Sequence, residues 1–208
     1  MLHGPLLGKI LLFALPFALS GVMEQLFNSV DVMVVGRFAS SKAMAAVGAN
    51  TFLINLCINL FVGMSVGANV IISNHIGQHD ARAIRHAVST TVVLSVISGF
   101  FLLFFGIAIS GPVLRIMGTP ADVIDESVTY LRIWFLGAPF FMVYNFGASV
   151  LRSKGDTRRP LYILLVGGVI NAVVALLTVI VFKMSVVGVG IANDSAYMFS
   201  ATAVVFLL

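Results

Sequence analysis

Six long apolar runs separated by short polar gaps restrict what this sequence can fold into. The runs cover approximately residues 10–35, 43–72, 87–112, 127–151, 160–182 and 186–208. A helix needs about 20 apolar residues to cross a bilayer core of roughly 30 Å. Because unpaired backbone groups cannot face lipid, runs of this length are expected to be helical. The sequence therefore predicts an all-α, polytopic membrane protein with six transmembrane helices in one bundle.

The composition supports this class of protein. Hydrophobic residues make up 60% of the chain and charged residues 10%, whereas soluble domains carry about a quarter charged residues. The mean hydropathy is +1.09 and the pI is near 9.6. Such a basic balance could indicate a nucleic-acid partner, but Lys and Arg lie in the gaps between apolar runs rather than along one face. We therefore expect no nucleic-acid partner.

The basic residues also predict how the chain lies in the membrane. If the N-terminus is inside, the cytoplasmic gaps carry more Lys and Arg than the gaps on the other side, as the positive-inside rule requires. Both termini are therefore predicted to be cytoplasmic, in a multi-pass protein of the cell (inner or plasma) membrane. The cytoplasmic residues would be Lys9, Arg82, Arg85, Arg152, Lys154, Arg158 and Arg159, against Arg37, Lys42, Arg115 and Lys183 outside.

Two gaps contain signals for helix ends. In LRSKGDTRRP, Gly155 is suited to the left-handed conformation that ends a helix, and either Asp156 or Thr157 is expected to cap the next one. In MGTPADVIDES, Thr119 is expected to cap the fourth helix, with proline in its first turn. Both gaps are therefore predicted to be tight connections between spans.

Polar residues inside the first run need an explanation. Glu24, Asn28 and Asp31 occur at i, i+4 and i+7, so on a helix they share one stripe. A charge at membrane depth costs a few kcal/mol or more, which favours a functional role for Asp31 over a structural one. For Glu24 the two interpretations are equally supported. Pro16 lies below the stripe and is predicted to act as a hinge, because proline removes a helical hydrogen bond.

Other polar residues recur in the later runs. Each could simply form a hydrogen bond between helices, but together they indicate a hydrated pocket. They are Asn145, Asn171, Asn193 and Asp194. The glycines of VGMSVGAN and VGGVIN are predicted to permit close helix packing, and Trp134 is predicted to be an anchor at the membrane interface.

Several segments carry a resemblance to a known family. They are FNSVDVMVVGRF, AMAAVGAN, FVGMSVGANVIISNHIG, MGTP and NFGASVLRSKGDTRRP. In order and spacing they resemble the N-terminal half of the multidrug and toxic compound extrusion (MATE) family over essentially the whole chain. The resemblance implies a secondary active exporter, not an enzyme, with two six-helix bundles facing a central cavity. It also implies mostly amphipathic organic cations as substrates, inward H⁺ or Na⁺ movement as the driving force, and no cofactor.

The resemblance assigns roles to individual residues. Asp31 matches the family's first-helix acid, Pro16 matches a bend position, and Asn171 matches a fifth-helix asparagine. Relatives often carry a second acid four residues after that asparagine, where this chain has Ala175. A Na⁺ site, if present, would involve Asp31, Asn171 and Asn193. The expected ion-coupling and cavity residues are Asp31, Glu24, Asn28, Asn145, Asn171, Asn193 and Asp194.

Other interpretations stay open at this point. A lipid-linked saccharide flippase of the same superfamily would be expected to have an arginine-rich cavity, but only Arg132 lies within a run. An intramembrane enzyme is disfavoured because the sequence has no HExxH motif, and its GxSxG match, GMSVG at residues 63–67, lies inside a long apolar run rather than at a strand-to-helix turn. A non-transporting membrane scaffold would keep its function after replacement of Asp31.

The sixth run continues to Leu208 without a glycine cap, a polar loop or a basic residue. A single bundle would also expose its polar stripe to lipid. We therefore expect residues 1–208 to be the N-terminal transmembrane bundle of a twelve-helix transporter whose C-terminal six-helix half is absent from this chain. The alternative is assembly of two parallel copies.

Overall fold

The structure is an all-helical bundle. This computed structural model describes the backbone of residues 6–208 and the side chains of residue 8, residue 11 and residues 13–208. No strand occurs within residues 6–208, and a π-helical segment, Leu177–Val181, extends the sixth helix. The α-helices are α1 (Leu6–Phe38), α2 (Ser41–Gly77), α3 (Ala81–Ile116), α4 (Ile124–Leu136), α5 (Ala138–Ser153), α6 (Arg158–Leu176) and α7 (Ser185–Leu207).

The fourth predicted run is divided in two. α4 and α5 meet at Gly137 with a bend of 47° between them. Pro139 lies in the first turn of α5, where its missing N–H interrupts the hydrogen-bond ladder and favours such a break. The span predicted for residues 127–151 is therefore one broken span, formed by α4 and α5 together.

Four spans satisfy both length and hydropathy. α2, α3 and the combined Arg158–Val181 helix are each long and apolar enough to cross a membrane, and the bent pair α4 and α5 provides the fourth. α1 has 33 residues and α7 has 23. Both are longer than the roughly 20 residues needed to cross a bilayer core. Polar residues near the middle of α7 lower its mean hydropathy. The bundle therefore agrees with the predicted six-span half.

α5 lies at the centre of the bundle. It packs against α2, α3 and α7, while α1 packs against α6 and α2. Nearly all of the residues of α5 are buried. α2 and α3 instead expose many large apolar side chains, as expected for helices that face lipid rather than water. Examples are Phe52, Leu60, Ile97, Phe101 and Phe104.

The helix ends agree with the sequence in one gap and differ in the other. Gly155 has a φ of +87°, and Asp156 Oδ1 accepts the N–H groups of Arg158 and Arg159 at 3.2 and 3.1 Å, so Asp156 provides the side-chain cap. Thr119 does not cap α4. The carbonyl of Pro120 accepts turn hydrogen bonds from residues 123 and 124, so α4 begins only at Ile124.

An acidic residue in the connection between α2 and α3 caps the N-terminus of α3. Asp80 Oδ1 accepts hydrogen bonds from the N–H groups of Arg82 and Ala83, each at 3.0 Å. The hydrogen bond from Ala83, followed by that from Arg82, lowers the pKa of the exposed Asp80 carboxyl group. The side chain of Lys9, which contributed to the predicted orientation, lies outside the described residues.

Trp134 is not at an interface. Its side chain is only 5% exposed, and its ring centroid lies 5.3 Å from that of Phe135 and 5.9 Å from that of Phe141. Tyr130, one helical turn earlier, is buried on the same face of α4. The prediction of a membrane anchor is therefore wrong, because this face of α4 packs into the bundle.

The glycines of α6 and α2 behave differently. A Cβ atom at Gly168 would overlap the ring of Phe27 in α1, and one at Gly167 would lie 2.7 Å from Ser200 Oγ in α7. These contacts confirm close packing for the glycines of VGGVIN. Gly63 and Gly67 in α2 have no such neighbour within 4 Å, so the same prediction is wrong for VGMSVGAN within this chain.

Candidate ion-coupling site

Three polar side chains linked by hydrogen bonds connect α1, α6 and α7. Asn193 Nδ2 donates a hydrogen bond to Asp31 Oδ2 at 2.7 Å, and Asn171 Nδ2 donates to Asn193 Oδ1 at 2.8 Å. Asp31 is only 1% exposed and Asn171 is 3% exposed. The three residues predicted for a Na⁺ site are therefore neighbours, although they lie far apart in sequence.

The orientation of the Asn193 amide is determined by its own helix. Its Nδ2 also lies 3.3 Å from the carbonyl oxygen of Val189, one turn earlier in α7. With the amide nitrogen directed to two acceptors, the amide oxygen is left to accept the hydrogen bond from Asn171. Asn193 therefore donates to Asp31 and accepts from Asn171 at the same time.

One oxygen of Asp31 has no partner. Oδ1 is buried and forms no hydrogen bond within the described residues. A buried polar atom without a partner carries its full desolvation cost, so this oxygen is a preferred position for a proton or a small cation. The oxygen atoms available here come from one carboxylate and two amides, and oxygen is the ligand that hard cations prefer. Within the described residues, no group of three or more His, Cys, Asp or Glu could hold a metal ion.

A small cavity lies beside these three hydrogen-bonded residues, between α1, α6 and α7. Its volume is about 30 Å³, which is enough for one or two water molecules. Glu24 and Asn28 line it together with the two asparagines, so the polar stripe of α1 faces a hydrated space. Its polar lining consists of Glu24, Asn28, Asn171, Asn193, Tyr197 and Ser200.

A second cavity lies on the other side of α1, towards α2 and α4. It has a volume of about 230 Å³, below the roughly 300 Å³ from which drug-sized sites begin. Asn28 lines this cavity too, so it lies between the two spaces. The other polar side chains here are Gln25, Ser29, Thr51, Asn55 and Tyr130.

Two of the predicted cavity residues are not brought to Asp31. Asn145 is buried in α5 and donates to the carbonyl oxygen of Phe141 in its own helix, at 3.0 Å. Asp194 directs its carboxylate against Gly137, at the break between α4 and α5, and its Oδ1 is buried without a partner. Adjacent positions on a helix point about 100° apart, which explains why Asp194 does not share the environment of Asn193.

The position at which relatives often carry a fifth-helix acid is apolar in this chain. Ala175 is fully buried and belongs to the main apolar core, together with Val179 and Val189. A carboxylate placed there would be surrounded by hydrocarbon. Asp31 is therefore the only acid among the three hydrogen-bonded residues. Glu24 lies about two helical turns away on α1.

Tyr197 and Ser200 are cavity residues that the sequence analysis missed. They follow Asn193 in α7 at i+4 and i+7, the same spacing that identified the stripe in α1. A search for polar residues at this spacing on α7 would have found them. Asp194 interrupts the pattern because it belongs to a different face of the helix.

Comparison with known proteins identifies the family. The MatE family model matches residues 16–177, which includes Asp31 and Asn171. The chain belongs to the MatE family. This confirms the resemblance to multidrug and toxic compound extrusion transporters and makes the chain an integral membrane protein.

Two relatives of this MatE chain come from Bacillus subtilis (strain 168). Probable multidrug resistance protein YoeA is 34% identical over 173 residues, covering 83% of this chain and 37% of the relative. Probable multidrug resistance protein YpnP is 29% identical over 188 residues, covering 89% and 42%. The chain thus spans about two fifths of the length of these relatives.

A solved structure shows the same fold. A crystal structure of MATE in the bent conformation superposes with a TM-score of 0.91 at 22% identity. It is matched over 96% of this chain and 44% of that protein. At this identity the comparison establishes the fold of the MatE half and nothing more specific.

Proposed function

We propose that this chain is the N-terminal six-helix bundle of a secondary active transporter that exports organic cations in exchange for H⁺ or Na⁺. Membership of the MatE family and the names of the two B. subtilis relatives support multidrug efflux. The partners of the chain would be the lipid bilayer, the small-molecule cation and a second six-helix half. We expect no cofactor beyond the coupling ion and no enzymatic activity.

The single observation that carries this proposal is the state of Asp31. Its carboxylate is buried, one oxygen is bonded to Asn193, and the other has no partner within the described residues. A proton or Na⁺ at the free oxygen would neutralise the charge and weaken the hydrogen bond from Asn193. Because that bond joins α7 to α1, ion binding would change how firmly the two helices are held together.

Pro16 is the position at which α1 can bend when an ion binds to Asp31 or leaves it. Proline has no N–H, so the carbonyl one turn earlier lacks its usual helical partner. The hydroxyl of Ser20 donates to the carbonyl oxygen of Pro16 at 2.9 Å, a bond that often accompanies helix bending. We propose that α1 bends at Pro16 when Asp31 exchanges its ion, and that this motion alters the cavity that binds the substrate.

The charges around the cavity favour a cationic substrate. Glu24 and Asn28 line the cavity beside the three hydrogen-bonded residues, and its described lining contains neither Lys nor Arg. Arg132 is exposed and lines none of these cavities. A flippase that carries phosphate-linked saccharides would require positive charge beside its transport path, whereas the acid and amides that line this small cavity favour a cation.

We propose that the protein lies in the cell membrane with both termini in the cytoplasm. The excess of Lys and Arg in and beside the connections between α2 and α3 and between α5 and α6 supports this orientation. Asp31 lies seven residues before the end of α1, which places it nearer the outer side in this orientation. An acid at this depth could exchange ions with the exterior when the cavity opens outward.

Gradient-driven efflux from proteoliposomes tests the proposal. The full-length protein is reconstituted, and export of a fluorescent cation is measured under an imposed H⁺ gradient and, separately, a Na⁺ gradient. Asp31→Asn is expected to abolish gradient-driven export with normal membrane insertion, whereas Glu24→Gln reduces it less. Ser29→Ala, an exposed neighbour on α1, is the matched control and is expected to transport normally. Export that persists in Asp31→Asn across a range of pH would make the acid structural.

A further inference from the structure

Arg152, which was counted among the residues on the cytoplasmic side, is buried. It lies in the last turn of α5 and is only 8% exposed. Its guanidinium carbon lies 4.8 Å from the centroid of the Phe17 ring in α1. Its side chain therefore lies inside the bundle rather than in the polar connection that follows α5.

This buried cation forms no ion pair within the described residues. All eight Asp and Glu residues of the chain lie in its described part, and the ion pair there is Arg159 with Asp156. Arg152 Nε is buried and donates no hydrogen bond within the described residues. Glu24 lies two turns after Phe17 on α1 and is near enough to interact with the charge of Arg152, but it does not come within salt-bridge distance. The positive charge is therefore buried and only partly compensated.

A cavity opens in front of the guanidinium. Its volume is about 110 Å³, which is room for several water molecules at about 30 Å³ each. This space is also large enough for a phosphate group. Phe13, Phe17 and Val66 supply the apolar part of its lining. The polar part consists of Arg152, Ser65, Asn69 and Ser149.

Arg152 is the free donor of this cavity. The Ser149 hydroxyl donates to the carbonyl oxygen of Ser65, and Asn69 Nδ2 donates to the carbonyl oxygen of Ser149 at 3.2 Å. These bonds join α2 to α5 and use the Ser149 hydroxyl and one of the two amide N–H groups of Asn69. A ligand in the cavity would therefore be recognised mainly by the guanidinium.

We propose that this cavity binds a phosphate group through Arg152. A buried charge without a partner is costly, and the contact with Phe17 offsets only part of that cost. The planar guanidinium matches two oxygens of a phosphate at once, which makes arginine the preferred residue for this ligand. The proposal does not depend on cation efflux, because the ligand has the opposite charge and the cavity is separate from that beside Asp31.

The phosphate can come from a lipid headgroup or from solution. The exposed ring of Phe17 provides an apolar wall along which an acyl chain could lie. The following hairpin carries Lys154, Arg158 and Arg159, which would attract anionic headgroups to this end of the bundle. Inorganic phosphate offers the same oxygens without the acyl chains, so the two sources are experimentally distinguishable.

Ligand binding to the purified full-length protein in neutral detergent tests this proposal. Phosphatidylglycerol, phosphatidylcholine and inorganic phosphate are titrated separately, with binding followed by native mass spectrometry and by thermal stability. The wild type is expected to bind phosphatidylglycerol at least about tenfold more tightly than the Arg152→Gln variant, because a charged hydrogen-bond donor is lost. Arg115→Gln is the matched control, because this exposed arginine in the last turn of α3 does not line the cavity, and it is expected to bind like the wild type.

The outcomes separate the two sources. Binding of phosphatidylglycerol alone identifies a lipid site, whereas Arg152-dependent binding of inorganic phosphate as well identifies a general phosphate site. Equal binding of phosphatidylglycerol by wild type and Arg152→Gln would overturn the proposal. Phosphatidylcholine carries the same phosphate group, so its binding is expected to weaken in Arg152→Gln as well. If Arg152→Gln does not fold, Arg152→Lys keeps the charge but loses the two-pronged contact, and unchanged binding in that variant would overturn it too.

Discussion

Asn193 Nδ2 lies 2.7 Å from Asp31 Oδ2, and this hydrogen bond connects residues that are 162 positions apart in the sequence. Asn171 also lies near the carboxylate, but its hydrogen bond of 2.8 Å is donated to Asn193 Oδ1. The close hydrogen bonds therefore run in series from Asn171 through Asn193 to Asp31. This order leads to a specific expectation for the two asparagines.

Replacing Asn193 is expected to have a larger effect than replacing Asn171. A hydrogen bond to a charged group contributes about 1.5–3 kcal/mol, so Asn193→Ala should shift the H⁺ or Na⁺ concentration for half-maximal efflux by at least about tenfold. Asn171→Ala should have a smaller effect, and almost none in a chain that already carries Asn193→Ala. The measurement is a double-mutant cycle on ion dependence in proteoliposomes. Additive effects would mean that Asn171 contacts Asp31 independently.

Gly168 is expected to be intolerant of any side chain. A Cβ atom there would overlap the ring of Phe27, so Gly168→Ala should destabilise the folded protein by about 1–3 kcal/mol through overpacking between α1 and α6. Gly63→Ala is the matched control, since that position in α2 has no such neighbour within 4 Å. Thermal unfolding in detergent measures both variants. The double variant with Phe27→Ala should recover stability, and a lack of recovery would contradict this account of the contact.

Pro16→Ala should make α1 more regular and slow transport. Alanine restores the N–H that proline lacks, so the helix gains a backbone hydrogen bond and becomes harder to bend. We expect a lower efflux rate with normal expression and unchanged binding of the coupling ion. Pro112→Ala, within the last turns of α3, is the matched control and should leave efflux unaffected. An unchanged efflux rate for Pro16→Ala would rule out a hinge at this residue.

The orientation in the membrane is testable residue by residue. Reporter fusions at Arg82 and Arg158, in the first turns of α3 and α6, are expected to report the cytoplasm. A fusion at Thr119, in the connection before α4, is expected to report the outer side. The opposite pattern at all three positions would reverse the orientation and place Asp31 nearer the cytoplasm.

The helical class and the polar stripe of α1 could be predicted because both are local properties. Hydropathy along a continuous segment indicates whether it can lie in lipid, and the helical repeat places Glu24, Asn28 and Asp31 on one side. The break near Pro139 has a local cause as well, because proline lacks a backbone donor. The exact start of α4 was not predicted, since Thr119 and Pro120 also fit a turn that precedes the helix.

The tertiary structure decided which polar residues meet. Asn193 bonds to Asp31 whereas Asp194, its neighbour, is directed to Gly137, and this difference depends on how α7 is rotated against α1 and α4. The burial of Arg152 likewise depends on where the end of α5 lies relative to Phe17. The sequence by itself determined that this chain forms membrane helices, because that follows from the solvation of each segment alone. The partners of each polar side chain depend on helix packing between distant segments, which only the folded bundle specifies.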